Sequence, residues 1–203
     1  MQAPEIELKF PVLDPLAFQS LLPALSFHLD TPRTFEQNTL FDTPNRDLRL
    51  RRQLLRLRQY GPIWTVTHKR QPDQIDSSDT LRYKIRIETE THVDDGPATA
   101  EIFTQLGYSA VFRYEKYRTE WSQFISEEIF GHLVLDETPI GTYAELEGPT
   151  DWIDRTLSDL EIDPATCLTD SYGKLFLTWK EATGNPAENL TFAEIATPVL
   201  VAG

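Results

Sequence analysis

Apolar and polar positions alternate with a period of two along much of this chain, the repeat that sends successive side chains to opposite faces of a β-strand. Residues 5–10 set Glu5, Glu7 and Lys9 on one face and Ile6, Leu8 and Phe10 on the other. Read together with the turn signals, the same alternation predicts strands over 34–42, 62–69, 81–91, about 110–121, 128–136 and 141–147, and a hairpin built from 46–51 and 54–60. The segment Asp42-Thr43-Pro44-Asn45 is a turn, and Gly61-Pro62 opens the strand at 62–69. Helical periodicity replaces alternation over 14–25, 97–106, 150–160 and 168–181. Asp14 is placed to cap the first of these, with Pro15 at its first helical position, and Gly107 sits at the C-terminal cap of the second. The polar stretch 71–80 is the one candidate linker, so the pattern predicts a single domain over 1–182. A loosely ordered tail is expected over 183–203, where Pro186 and Pro198 accompany little periodicity.

An antiparallel sheet ordinarily turns its polar face to water, and one charged strand face needs no further explanation. Here the feature recurs, with both signs of charge within the set and often on one face. Arg56 and Arg58 share a face, as do Thr67 and Lys69, then Arg82, Lys84, Arg86, Glu88 and Glu90, then Lys116, Arg118 and Glu120, then Glu145 and Glu147. If the sheet closes on itself, these faces point inward, where charge is costly unless paired or occupied by a ligand. Arg and Lys attract a polyphosphate, Arg with bidentate geometry. Carboxylates beside such an anion make sense when a hard cation lies between them, and Mg²⁺ or Mn²⁺ accepts both carboxylate and phosphate oxygens.

Charge adds weight to this reading through its distribution. The 203 residues carry a net charge of −13, yet residues 46–118 sum to +4 while residues 119–203 sum to −13. An acidic exterior argues against nucleic acid and anionic membrane as partners, while the basic middle suits a local anion site. No apolar run reaches the roughly 18 residues of a membrane span, and the N-terminus does not read as a secretory signal. The single Cys167 cannot form an internal disulfide, which fits a reducing, cytoplasmic setting. His28, His68, His92 and His132 lack metal-ligand spacing, the four tryptophans read as packing residues, and no P-loop or dinucleotide fingerprint is present.

Several of the charged strands occur as an ordered series of motifs. Glu5-Ile6-Glu7-Leu8-Lys9 is followed by Phe41-Asp42-Thr43-Pro44, Leu55-Arg56-Leu57-Arg58, Thr67-His68-Lys69, Arg86-Ile87-Glu88-Thr89-Glu90 and Lys116-Tyr117-Arg118. Then come Leu135-Asp136-Glu137, the spaced set Gly141, Tyr143, Glu145 and Glu147, and Ser171-Tyr172-Gly173-Lys174-Leu175. This series, over roughly residues 4–180, resembles the CYTH, or triphosphate tunnel metalloenzyme, family.

The resemblance implies an α+β fold: an eight-stranded antiparallel tunnel-like β-barrel with flanking helices. It also implies a triphosphate-containing small molecule as ligand and one or two Mg²⁺ or Mn²⁺ ions. Carried over by position, Lys9, Arg56, Arg58, Lys69, Arg86, Lys116, Arg118 and Lys174 would bind the phosphates. Glu5, Glu7, Asp136, Glu145 and Glu147 would hold metal, and Glu88 and Glu90 would act with Lys9 and Arg58 in catalysis. The activity expected first is hydrolysis of inorganic tripolyphosphate or a small organic triphosphate. Class IV adenylyl cyclase is the alternative, an RNA 5′-triphosphatase is disfavoured by the acidic exterior, and a non-catalytic polyphosphate-binding module is disfavoured by the retained carboxylates. A homodimer is compatible with the resemblance. One departure concerns the turn before Arg56, where the family often has Gly and this chain has Arg52. A non-Gly residue disfavours positive φ, so a differently shaped turn is expected there. The loop between Lys69 and Arg86 is long enough to act as a flap over one tunnel end.

Overall fold

The computed structural model describes residues 5–72, 82–126 and 129–196. Its eight strands close into an antiparallel barrel: β1 (Glu5–Pro11), β2 (His28–Asp42), β3 (Leu54–Tyr60), β4 (Ile63–Arg70), β5 (Lys84–Val93), β6 (Ser109–Ser126), β7 (Ile129–Thr138) and β8 (Gly141–Glu147). Around the barrel they run β1-β5-β4-β3-β2-β6-β7-β8. Closure removes the sheet edges and divides every strand into a lumen face and an outer face.

The outer face is where the main apolar core lies. Leu8 and Phe10 of β1, Leu133 and Leu135 of β7, and Ala144 and Leu146 of β8 are buried there. They are covered by helix α1 (Pro15–Leu21) and by Trp152, Ile153 and Leu157 of helix α4 (Thr150–Asp159). Asp14 caps α1 as its sequence predicts, its carboxylate accepting the Leu16 and Ala17 N–H groups at 3.1 and 3.0 Å. Trp152 passes flat over Gly131, where a Cβ would stand 2.1 Å from the indole. Gly131→Ala is therefore expected to destabilise the fold by about 1–3 kcal/mol through overpacking, lowering the melting midpoint by several degrees; an unchanged midpoint would show that this packing yields freely.

Elsewhere the structure corrects the sequence reading. Residues 46–51 do not form a hairpin strand; Asp47–Leu50 is a single helical turn, α2. The Asp42 carboxylate determines this by accepting the N–H groups of Thr43, Leu48 and Arg49 at 2.8, 2.9 and 3.1 Å. The hairpin runs instead between β3 and β4 through Gly61, at φ +53°. Strand β2 starts earlier than expected because β6 is long enough to pair it back to His28. The helix expected at 168–181 is α5 (Tyr172–Thr183). It starts late because Leu168 is drawn into backbone hydrogen bonds with Lys9 at 3.1 and 2.7 Å, and Ser171 caps the helix.

The segment expected to be loose is packed as far as residue 196. Leu190 is fully buried and bridges Tyr114 of β6. Asn189 accepts the Arg113 N–H at 2.9 Å and donates to Glu194 at 2.8 Å. With Tyr172 and Phe176 of α5, this segment forms a second apolar cluster. The helix α3 (Gly96–Gln105) matches its prediction closely, and α6 (Phe192–Ala196) was not foreseen. Residues 73–81, the greater part of the proposed flap, lie outside the described residues.

Arg52 takes φ +56°, so the turn before β3 keeps the left-handed conformation that a glycine would adopt. The expected change of turn shape does not occur; the arginine carries the strain, about 1 kcal/mol, instead.

Candidate functional site

The lumen is a cavity of about 880 Å³ lined by charged side chains from β1, β3, β4, β5, β6 and β8. Its construction follows from register. Glu5 lies opposite Arg86, Glu7 opposite both Lys84 and Glu147, Lys9 opposite Glu145, and Lys69 opposite Glu88. Period-two alternation then turns every one of these residues to the same side of the wall.

Nearly every lumen cation is tied to a carboxylate. Lys9, only 3% exposed, meets Glu145 at 2.5 Å, donates to the Asp170 carbonyl at 3.3 Å, and lies 4.1 Å from the Tyr172 ring centre. Arg58 donates to Glu90 at 3.1 Å, and Arg56 to Thr67 at 3.0 Å with Glu90 3.6 Å away. Lys69 pairs with Glu88 and with Glu5, the latter at 3.3 Å, and Lys84 pairs with Glu7. Arg86 donates to the Ile85 carbonyl at 2.9 Å. Two donors in this wall, Nε of Arg56 and Nε of Arg58, are buried without a hydrogen-bond partner. Orphaned buried donors are costly, and both guanidinium groups line the cavity.

A deeper layer holds the lumen in place. Asp136 is wholly buried and receives Lys116 at 2.8 Å, Arg118 through two bonds of 2.7 Å, and the Tyr172 hydroxyl at 2.7 Å. Arg118 also reaches Glu145 at 3.1 Å, and Lys116 reaches Glu36 at 3.3 Å. Burial opposes charge on Glu145, but Lys9 and Arg118 outweigh it and hold its pKa well below the usual carboxylate range. Burial likewise opposes charge on Arg118, and Asp136 with Glu36 overcomes it.

Glu36 follows the same logic: against its burial, Lys116 and Arg118 bring its pKa to about 2, from an ordinary 4.5. The folded state thus binds this proton less readily than the unfolded chain. The stability it contributes, on the order of 3 kcal/mol, is complete above about pH 4.5 and is lost as pH falls towards 2. Acid titration of the melting midpoint should show a steep decline in that window, and Glu36→Gln should flatten it.

The carboxylates expected to hold metal divide into two groups. Glu5, Glu7 and Glu147 line the cavity. Burial first, then Glu5 and Glu7, push the Glu147 carboxyl up to about 8, the mark of acidic groups crowded without enough positive charge between them. Such a set of hard oxygen donors suits Mg²⁺ or Mn²⁺. Among the described residues, however, no three acidic or imidazole side chains converge as a ready-made metal cage. Lys69 and Lys84 hold Glu5 and Glu7 apart. Asp136 and Glu145 belong to the other group, each committed to cations, and Asp136 does not face the cavity. In this arrangement Asp136, expected among the metal ligands, anchors Lys116 and Arg118.

Lys174, expected among the phosphate ligands, does not join the cavity lining. It lies on the outward side of α5, pairs with Asp170 at 2.8 Å and is 67% exposed along its side chain, outside the lumen. Three participants were missed. Lys84 shares the alternating face of Arg86 and could have been read from that pattern. Tyr172 occupies a quoted motif but was treated as a marker of the helix. Glu36 gave no local signal, since a lone carboxylate in a strand ordinarily faces water.

With this geometry in hand, comparison with known proteins is informative. The model of the CYTH domain family matches residues 3–162. A candidate adenylate cyclase from Vibrio parahaemolyticus superposes with a TM-score of 0.71 at 20% identity, covering 87% of this chain and 99% of that one. The PH1819 protein of Pyrococcus horikoshii gives 0.65 at 19%, covering 86% and 99%. A candidate adenylyl cyclase from Hippeastrum, described as having a dominant triphosphatase activity, gives 0.61 at 20%, covering 88% and 96%. These likenesses establish a shared fold. No curated protein matches the chain.

Proposed function

Because the chain belongs to the CYTH family, we propose that it is a metal-dependent hydrolase of inorganic tripolyphosphate or a small organic triphosphate held in the barrel lumen. The observation that carries this reading is the pair of guanidinium groups on Arg56 and Arg58, which line the cavity and whose Nε atoms lack a hydrogen-bond partner in the wall.

Entry of a triphosphate exchanges partners. Its oxygens take Lys69, Lys84, Arg56, Arg58 and Arg86, and Glu5 and Glu7 are released beside Glu147. Those three carboxylates would then hold a divalent ion, which lends Lewis acidity and neutralises phosphate charge. Water attacks a terminal phosphorus as Glu88 or Glu90 accepts its proton, the P–O bond to the bridging oxygen breaks, and negative charge grows on the departing diphosphate. Arg58 and Lys9 are placed to stabilise that charge, and Glu88 and Glu90 to orient the water. Burial, then Arg56, lower Lys69 to about 8, and a phosphate beside it favours its charged form. Lys116 and Arg118 hold the wall, and both line the lumen.

The test is a panel of tripolyphosphate, thiamine triphosphate and ATP with Mg²⁺ or Mn²⁺, following phosphate and cyclic AMP separately. Phosphate release supports the reading. Cyclic AMP as the main product from ATP would establish the cyclase instead, and binding without any product would establish a non-catalytic module.

A further inference from the structure

At one end of the lumen the wall changes character. Register places Leu54 opposite Lys69 and Leu40 opposite Arg56, and beyond them the cavity is lined by Arg49, Arg52 and Gln53. Inside the barrel, carboxylates accompany the cations. Here, among the described residues, neither Arg49 nor Arg52 stands in an ion pair; Arg52 makes one long hydrogen bond, 3.4 Å, to the Gln71 amide. Arg52 also occupies its place at φ +56°, a conformation that disfavours any side chain. A charged side chain kept in a strained turn, beside a second guanidinium, at the mouth of the cavity, is a concentration of positive charge that no carboxylate among the described residues pairs, continuous with the row formed by Lys69, Arg56 and Arg58.

We infer that Arg49 and Arg52 form an anion subsite that takes the next phosphoryl group of a condensed phosphate longer than three units, so that the lumen favours a linear tetraphosphate over tripolyphosphate. The inference rests on the reading of the lumen as a triphosphate site. It follows from chemistry: a linear polyphosphate is the ligand whose charge repeats at intervals along a line, matching cations that continue the row, and each guanidinium can receive phosphate oxygens through two N–H groups. Leu40, Leu54 and Phe112 border the same mouth and add no carboxylate to oppose it.

Calorimetric binding of tripolyphosphate and linear tetrapolyphosphate to the full chain in chelator, without metal, separates this inference from the hydrolytic reading, since it needs no turnover. Wild-type protein should bind tetrapolyphosphate at least several-fold tighter. Arg52→Gly suits the positive φ and should melt no lower than wild type, yet cut the affinity ratio of the two anions by about tenfold. Arg49→Ala should cut it similarly, and Arg52→Lys should restore part of it. An affinity ratio near one in wild type, or a ratio that Arg52→Gly and Arg49→Ala leave unmoved, would overturn the subsite while leaving the triphosphate site standing. Failure of both anions to bind would overturn the two together. Binding as expected without phosphate release on adding Mg²⁺ or Mn²⁺ would support the subsite and defeat the hydrolase.

Discussion

Arg58→Ala is expected to lower metal-dependent phosphate release by about 10²–10³-fold, the usual cost of deleting one preorganised charge from a phosphoryl-transfer site. Arg58 ties down one carboxylate oxygen of Glu90 and leaves its Nε without a partner in the wall. The side chain is thus held in place on the cavity lining, where its guanidinium would meet substrate. Glu7→Gln should produce a loss of the same order by a different route, since it removes one of the three carboxylates beside Lys84 and Lys69. Both variants should stay folded. Glu90 is about one-third exposed along its side chain and can turn to water when Arg58 is lost. Steady-state phosphate release together with thermal melting decides the matter: near-normal turnover in either variant would refute its assigned role.

The second large effect concerns stability. Asp136→Ala should destabilise the fold by roughly 3–5 kcal/mol, because it leaves Lys116, Arg118 and the Tyr172 hydroxyl buried without their shared acceptor. For a chain of this size the melting midpoint should fall by roughly 10 °C. Measured in chelator, the drop separates two roles. A metal ligand would melt normally without metal and lose activity, whereas an anchor of the basic wall melts early under all conditions. A midpoint within about 2 °C of wild type would return Asp136 to the metal site. Partial compensation is available, since Glu36 and Glu145 also face these cations, and the larger end of the range applies only if they cannot move closer.

Much of this architecture was legible in the sequence, for identifiable reasons. Alternation is a local property, so Glu5, Glu7 and Lys9, or Arg56 and Arg58, declare a shared face wherever the strand lies. Caps are local too, and Asp14 with Pro15 marked a helix start that the structure keeps. Misreadings arose where a specific hydrogen-bond partner overrode the periodic pattern. Residues 46–51 look like half a hairpin until Asp42 gathers three of their neighbourhood's N–H groups into one turn. The region around 168 looks helical until Lys9 engages Leu168 across the barrel end. The tail after residue 184 lacks periodicity because Leu190 is fastened at single points to β6 and has no repeat to display.

By itself, then, the sequence determined the supply of charges, their faces and the closed antiparallel sheet that its family resemblance implied. Strand register, a property of the tertiary structure alone, decided which charges meet. It brought Arg118 beside Asp136, set Glu7 between Lys84 and Glu147, and faced Lys9 with Glu145. A carboxylate next to two cations is neutralised by them, while one crowded by other carboxylates is left short of positive charge, and nothing in Asp136 or Glu147 taken singly distinguishes the two. The same holds for Lys174, which a motif placed at the lumen and the pitch of α5 turned to solvent. Coulombic energy depends on separation in space, and closing the barrel makes neighbours of residues more than a hundred positions apart, as it does Lys9 and Glu145.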